Sequence, residues 1–237
     1  FADARTSVDA SASGRKDGTA RGGTGQADAT GGNITLQTSL QSHSSNRTVN
    51  LSTIQINAPV NTAARALVDA DAIGALAIPG TAQFNTTGGS IRIQSDGDIR
   101  LGEQATLNAS AGTFSFLDII FDPEDHLDIT LGSEDRANLS GGDIRLIAND
   151  EILLNQISAE TNAEFVIAPE TGETGIANIL ASSAGNIIIR SSNTIRLQDQ
   201  AFISVEARGE EGTAGDITIS SPSLILGEES SLSSQTD

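Results

Sequence analysis

The stretch AGNIIIRSSNTIRLQDQAFISVEA, residues 184–207, followed by AGDITIS at 214–220, decides how this chain is read. It opens on a small residue, a glycine and a polar residue. Aliphatic positions then alternate with others through Ile187, Ile189, Ile195, Leu197, Ile203 and Val205. A period of two buries one face of a strand and leaves the other face free. The runs are only a few residues long and are separated by Ser, Asn, Gly and Gln-Asp-Gln, so each is a short strand bounded by a turn.

Working outward, the opening phrase recurs as Gly-Gly-Asn-Ile-Thr-Leu at 31–36, Gly-Gly-Ser-Ile-Arg-Ile at 88–93 and Gly-Gly-Asp-Ile-Arg-Leu at 141–146. A second phrase follows it as Asp-Ile-Arg-Leu at 98–101, Glu-Ile-Leu-Leu at 151–154, Thr-Ile-Arg-Leu at 194–197 and Ser-Leu-Ile-Leu at 223–226. A third phrase is found at 4–10, 105–111 and 201–207, with 230–236 as a degenerate copy. The likeness of 4–10 to 201–207 assigns residues 4–10 to the third strand of a rung. One unit therefore holds three short strands in about 20 residues, and such units must stack to bury their apolar faces. The expected fold is all-β: a right-handed parallel β-helix with three short strands per rung, forming a single section over 1–237.

Spacing between successive Gly phrases shrinks along the chain, from 57 residues between Gly32 and Gly89 to 30 between Gly185 and Gly215. The excess falls mostly after the third strand, which places insertions or irregular rungs at 11–30, 59–87, 112–140 and 162–184. Residues 11–30, rich in Gly, Ser, Ala and charge, read as a flexible loop. The Ala-rich run 63–78 reads as a short helix. Residues 112–131, with Phe114, Phe116, Ile119, Ile120 and Phe121, are too apolar for a solvated loop and read as extra strands, a hairpin laid against the helix.

Composition agrees with a narrow aliphatic core. The chain has no Cys, Met, Trp or Tyr and only seven Phe. Zero Cys removes disulfides and thiolate metal sites and fits a chain exported through an oxidising compartment. A chain that opens on Phe1 and lacks Met is expected to be a processed or partial product. The net charge of −18, from 31 acidic against 13 basic residues, disfavours nucleic acid and anionic membrane surfaces as partners. No apolar run approaches the roughly 18 residues of a membrane span.

Candidate chemistry is sparse, and no catalytic or cofactor-binding residue is assigned. Gly22-Gly23-Thr24-Gly25-Gln26-Ala27-Asp28 nearly matches a calcium-binding nonapeptide, but the Asp falls one place late and no tandem copy follows. Its plain alternative is a Gly-rich loop. Asp122, Glu124 and Asp125, around Pro123, are the densest acidic cluster. They form either an acidic turn or, with Asp28, weak calcium candidates. His43 and His126 stand in no metal or catalytic signature. Parallel β-helices include polysaccharide hydrolases and lyases, yet the paired-carboxylate and basic phrases such enzymes need are absent, so no enzymatic activity is expected.

The sequence Ala184 to Ile189, then Ile195-Arg196-Leu197, then Ala201 to Val205, then Ala214 to Ile219 resembles filamentous-haemagglutinin-like two-partner secretion exoproteins, in particular the cyanobacterial type of repetitive passenger. The resemblance is clear over 184–237, good at the other Gly phrases and poor inside the insertions. The family's N-terminal secretion motif is not present, so the resemblance implies an interior or C-terminal section of a passenger. It further implies a secreted, cell-surface protein with a structural or adhesive role, for instance in biofilm, and a cell-surface or glycan ligand. Two other functions stay in view. One is an extracellular filament subunit that self-associates through its β-helix ends, which would otherwise meet the rest of a longer parent chain. The other is a carbohydrate-active enzyme.

Overall fold

A computed structural model describes residues 4–9, 12–13, 19–21, 24–38, 53–69, 72–73, 76–78, 81–120, 136–169, 178–207 and 212–236, with side chains at 26, 28–38, 53–64, 83, 85–112, 138–161, 182–207 and 212–236. Every described element is a strand, and every strand pair is parallel. No helix among the described residues is long and apolar enough to cross a membrane.

The chain winds as a parallel β-helix. The Gly phrases give the first wall: Ile34–Gln37, Ile91–Ser95, Ile144–Ala148, Ile187–Ser191 and Ile217–Ser220 stack in register. The second and third phrases share one bent sheet. Its near half, the second wall, stacks Ile54–Ile56, Ile99–Leu101, the start of Ile152–Ser158, the start of Thr194–Ala207 and Ser223–Ile225. Its far half, the third wall, stacks Val60–Asn61, Thr106–Asn108, the ends of those two long strands and Ser231–Thr236.

Alternation does what the sequence asks of it. Ile91, Ile144 and Ile187 form one fully buried column, and Ile99, Ile152 and Ile195 form another. Leu107, Ile157 and Ile203 fill the third wall. Burying each such side chain contributes roughly 1.5–3 kcal/mol. The columns come to the surface in the last described rung, where Leu224, Leu226 and Leu232 are exposed.

The prism closes at a waist. Gly89 N–H donates to the Thr62 carbonyl of the preceding rung at 2.8 Å, Gly142 N–H to Ala109 at 2.7 Å and Gly185 N–H to Ala159 at 2.9 Å. The start of the first wall is thereby tied to the end of the third, and the edge between the second and third walls lies across the core from the first wall. So close a backbone approach explains the small residues. A Cβ on Gly31 would come within 1.9 Å of the Thr62 carbonyl oxygen, and one on Gly88 within 2.0 Å of that of Ala109. At Gly141 the corresponding gap has opened to 2.6 Å, and the next two rungs carry Ala184 and Ala214 at this place. In three rungs the Asx that follows Gly32, Gly142 or Gly185 clasps the next rung. Asn33 Oδ1 accepts from Ser90 N–H at 2.9 Å, Asp143 Oδ1 from Asn186 N–H at 2.8 Å and Asn186 Oδ1 from Asp216 N–H at 3.0 Å.

The described residues of the four insertions include further strands that stack from rung to rung. Beyond the waist, Ala4–Asp9, Ala64–Asp69, Ala111–Ile120 and Thr161–Pro169 stack as outgoing strands. Thr24–Thr30, Thr81–Thr87, Arg136–Ser140, Asn178–Ser183 and Gly212–Thr213 stack as returning ones. The two sheets lie against each other as a side lobe built on the same rung repeat.

Four readings of the sequence are corrected. The described residues of 63–78 form no helix: Ala64–Asp69, Ala72–Ile73 and Leu76–Ile78 are strands, because neighbouring rungs offer a strand edge that outweighs alanine's helix propensity. Residues 11–30 contain Ala12–Ser13, Thr19–Arg21 and Thr24–Thr30 rather than one long loop. Ala111–Ile120 pairs in parallel with the rungs on either side, so its described part is no hairpin; residues 121–135 lie outside the described residues. Ala4 pairs with Ala64, and Ala64 with Ala111. Residues 4–9 are therefore an outgoing strand of the lobe and not the third strand of a rung.

Candidate functional site

A missing corner opens a hollow in the wall of the stack. Between the second and third walls, the rung of Leu101 spends four residues, 102–105, and the rung of Leu197 spends four, 198–201. The rung between them spends one, Asn155, because Ile152–Ser158 runs straight through. Neighbouring corners overhang a notch of about 710 Å³ floored by Asn155 and Gln156. Glu103 stands on one side, and Gln198, Asp199, Gln200 and Glu228 on the other.

Removing a corner strands the backbone groups that would have paired with it, and buried polar groups need partners. Two side-chain amides supply them. Asn155 Nδ2 donates to the carbonyls of Gly102 at 3.1 Å and Glu103 at 2.7 Å. Gln198 Nε2 donates to the Leu101 carbonyl at 2.6 Å. On the far side the two later corners copy one another. Gln200 and Glu229 both take left-handed backbone, with φ of 59° and 57°. Asp199 Oδ1 accepts from Glu228 N–H at 3.0 Å, and Gln200 N–H donates to the Glu228 carbonyl at 2.8 Å. The notch is thus a fixed concavity with amide and carboxylate edges. Arg196, Leu197, Ile225, Leu226 and Gly227 complete its lining. Such a set can hold a polar, hydroxyl-bearing group by hydrogen bonds.

Charge is arranged by wall. On the second wall Arg100 bonds Asp98 at 2.9 Å and lies 3.6 Å from Glu151, which is also 3.6 Å from Arg196. The outer face of the first wall carries Arg92, Arg145 and Arg190, and its strands contain no Asp or Glu.

Of the calcium candidates, Asp28 sits on the strand Thr24–Thr30, exposed, and not in a Gly-rich loop. Its oxygens accept from Asn85 Nδ2 at 2.8 Å and Gln26 Nε2 at 3.2 Å, and Asn138 Nδ2 continues the ladder to Asn85 at 3.0 Å. Asp28 is one step of an amide ladder, and no group of three or more His, Cys, Asp or Glu side chains suited to a metal ion occurs among the described residues. Asp122, Glu124, Asp125, His43 and His126 lie outside the described residues. No motif of the sequence points to the notch. Its signal was there, however: after Glu-Ile-Leu-Leu at 151–154 the third phrase follows with no corner residues to spare.

No protein family, curated protein or solved structure matches the chain.

Proposed function

We propose that this chain is part of a secreted surface protein of structural and adhesive role, without catalysis, of the filamentous-haemagglutinin-like exoprotein kind. The observation that carries the proposal is the rung-on-rung stack itself: aliphatic columns, Asx clasps and waist bonds repeat in register through successive rungs. A stack of this kind places outward side chains at fixed intervals along one axis, which suits display at a distance from a cell. The notch at Asn155 supplies a ligand-sized hollow on that scaffold, and a glycan hydroxyl set is the chemistry its amides and carboxylates would meet.

The test is made on intact cells of the source organism. An antibody raised against residues 184–236 should label them without permeabilisation, and a strain lacking the gene should adhere less to surfaces or to neighbouring cells. Labelling only after permeabilisation would overturn export, and unchanged adhesion would overturn the adhesive part.

A further inference from the structure

The first wall and the edge opposite it carry opposite charge, although the whole chain is strongly acidic. Arg92 and Arg145 are register partners on adjacent rungs, and Arg190 stands on the next rung. Like charges side by side in a ladder repel. Among the described residues none of these three arginines pairs with a carboxylate, whereas on the second wall Arg100 has two such partners and Arg196 has one. Arg145, held between Arg92 and Ile188, has a shielded Nε without a hydrogen-bond partner. The edge between the second and third walls is the reverse: Glu103, Asp199, Glu228 and Glu229 are exposed there. None of these four forms an ion pair among the described residues.

We propose that the protein associates side by side with copies of itself, the arginine face of one against the carboxylate edge of the next. A second copy is the partner whose charge complements this face and whose side chains recur at the same rung spacing. The contact uses two different surfaces, so it is heterologous: each bound copy still offers a free face and a free edge, and assembly is open-ended. Exposed ion pairs are individually weak, so the contact gains strength from repetition along the stack. The net charge of −18 opposes it at long range. Salt near 0.1 M shortens that repulsion to about 10 Å, while pairs in contact persist until salt approaches about 1 M. The proposal goes beyond the surface role above and does not depend on it.

Sedimentation of the protein at about 0.1–1 mM, where weak contacts register, should show average mass rising above 24.3 kDa between about 0.01 and 0.1 M salt and falling again near 1 M. The exposed sites allow a charge swap. Arg92→Glu with Arg190→Glu should leave the protein monomeric, as should Glu103→Arg with Glu228→Arg, while an equimolar mixture of the two should associate at least as strongly as the original. Arg100→Glu on the second wall should change nothing. A mass that stays monomeric across the salt series overturns the proposal, and so does a mixture no heavier than its separate components. The salt series stands by itself if a variant fails to fold, and neither result bears on export or adhesion.

Discussion

The side-chain amide of Gln198 reaches past one whole rung to the carbonyl of Leu101, 97 residues earlier in the chain, at 2.6 Å. It spans the rung that lacks a corner, and with Asn155 it repairs the hydrogen bonding that the shortening broke. A buried acceptor left without its donor costs about 1–3 kcal/mol. Gln198→Ala should lower stability by about that much, and Asn155→Ala, which strands two carbonyls, by more. Urea midpoints at constant slope would measure both. Equal midpoints for original and variants would mean that water serves these carbonyls as well as the amides do.

Glycine is required at the waist and optional at the notch. A Cβ at position 142 would come within 2.0 Å of the Gly89 carbonyl oxygen, and backbone cannot step aside. At Gly102 the nearest atom is Asn57 Oδ1, at 2.7 Å, the end of a side chain that can rotate away. Gly142→Ala should cost about 3 kcal/mol or more and Gly102→Ala less than about 1 kcal/mol. Thermal unfolding of the two variants should separate them clearly.

Position along the stack grades the cost of a core charge. Ile187 is fully buried between Ile144 and Ile217, whereas Ile217, in the last described rung, is only partly covered. Ile187→Asp should prevent folding, because an unpaired carboxylate would stand inside the column. Ile217→Asp should give a folded, less stable protein. Circular dichroism with denaturant titration distinguishes them; equal tolerance of both would refute the register.

Asp28 acts as a rung of an amide ladder. Asp28→Asn keeps an oxygen facing Asn85 Nδ2 but turns an N–H toward Gln26 Nε2, so stability should fall by about 0.5–1.5 kcal/mol, the worth of one hydrogen bond. Whatever calcium does to the melting temperature of the original protein, it should do equally to this variant. A calcium response lost with Asp28 would return that carboxylate to the ligand role.

The parts read correctly from sequence are those in which local pattern and tertiary demand coincide. Ile187-x-Ile189 and its counterparts have one apolar face each, and a strand that short has only its own repeat to bury it against. The glycine before each such strand marks a corner; that the Asx after it clasps the next rung came only from the structure. The third phrase was harder to align. By its residues the segment 4–10 aligns with 105–111 and 201–207, yet Ala4 belongs opposite Ala64 and Ala111. That error is a slide of six residues, and an even slide leaves a period-two pattern unchanged.

Sequence alone thus determined the class of fold and which aliphatics of the Gly phrases point inward, because both follow from alternation and from glycine within one short window. Tertiary structure decided the rest. Ala64–Asp69, Ala72–Ile73 and Leu76–Ile78 lie in a run with alanine's preference for helix and are strands only because adjacent rungs present edges to pair with. The notch exists only by comparison of three stacked rungs, and its amides find partners as far as 97 residues away. The opposition of arginine face and carboxylate edge depends on closure of the waist, where Gly142 meets Ala109 and turns a run of strands into a prism with distinct sides.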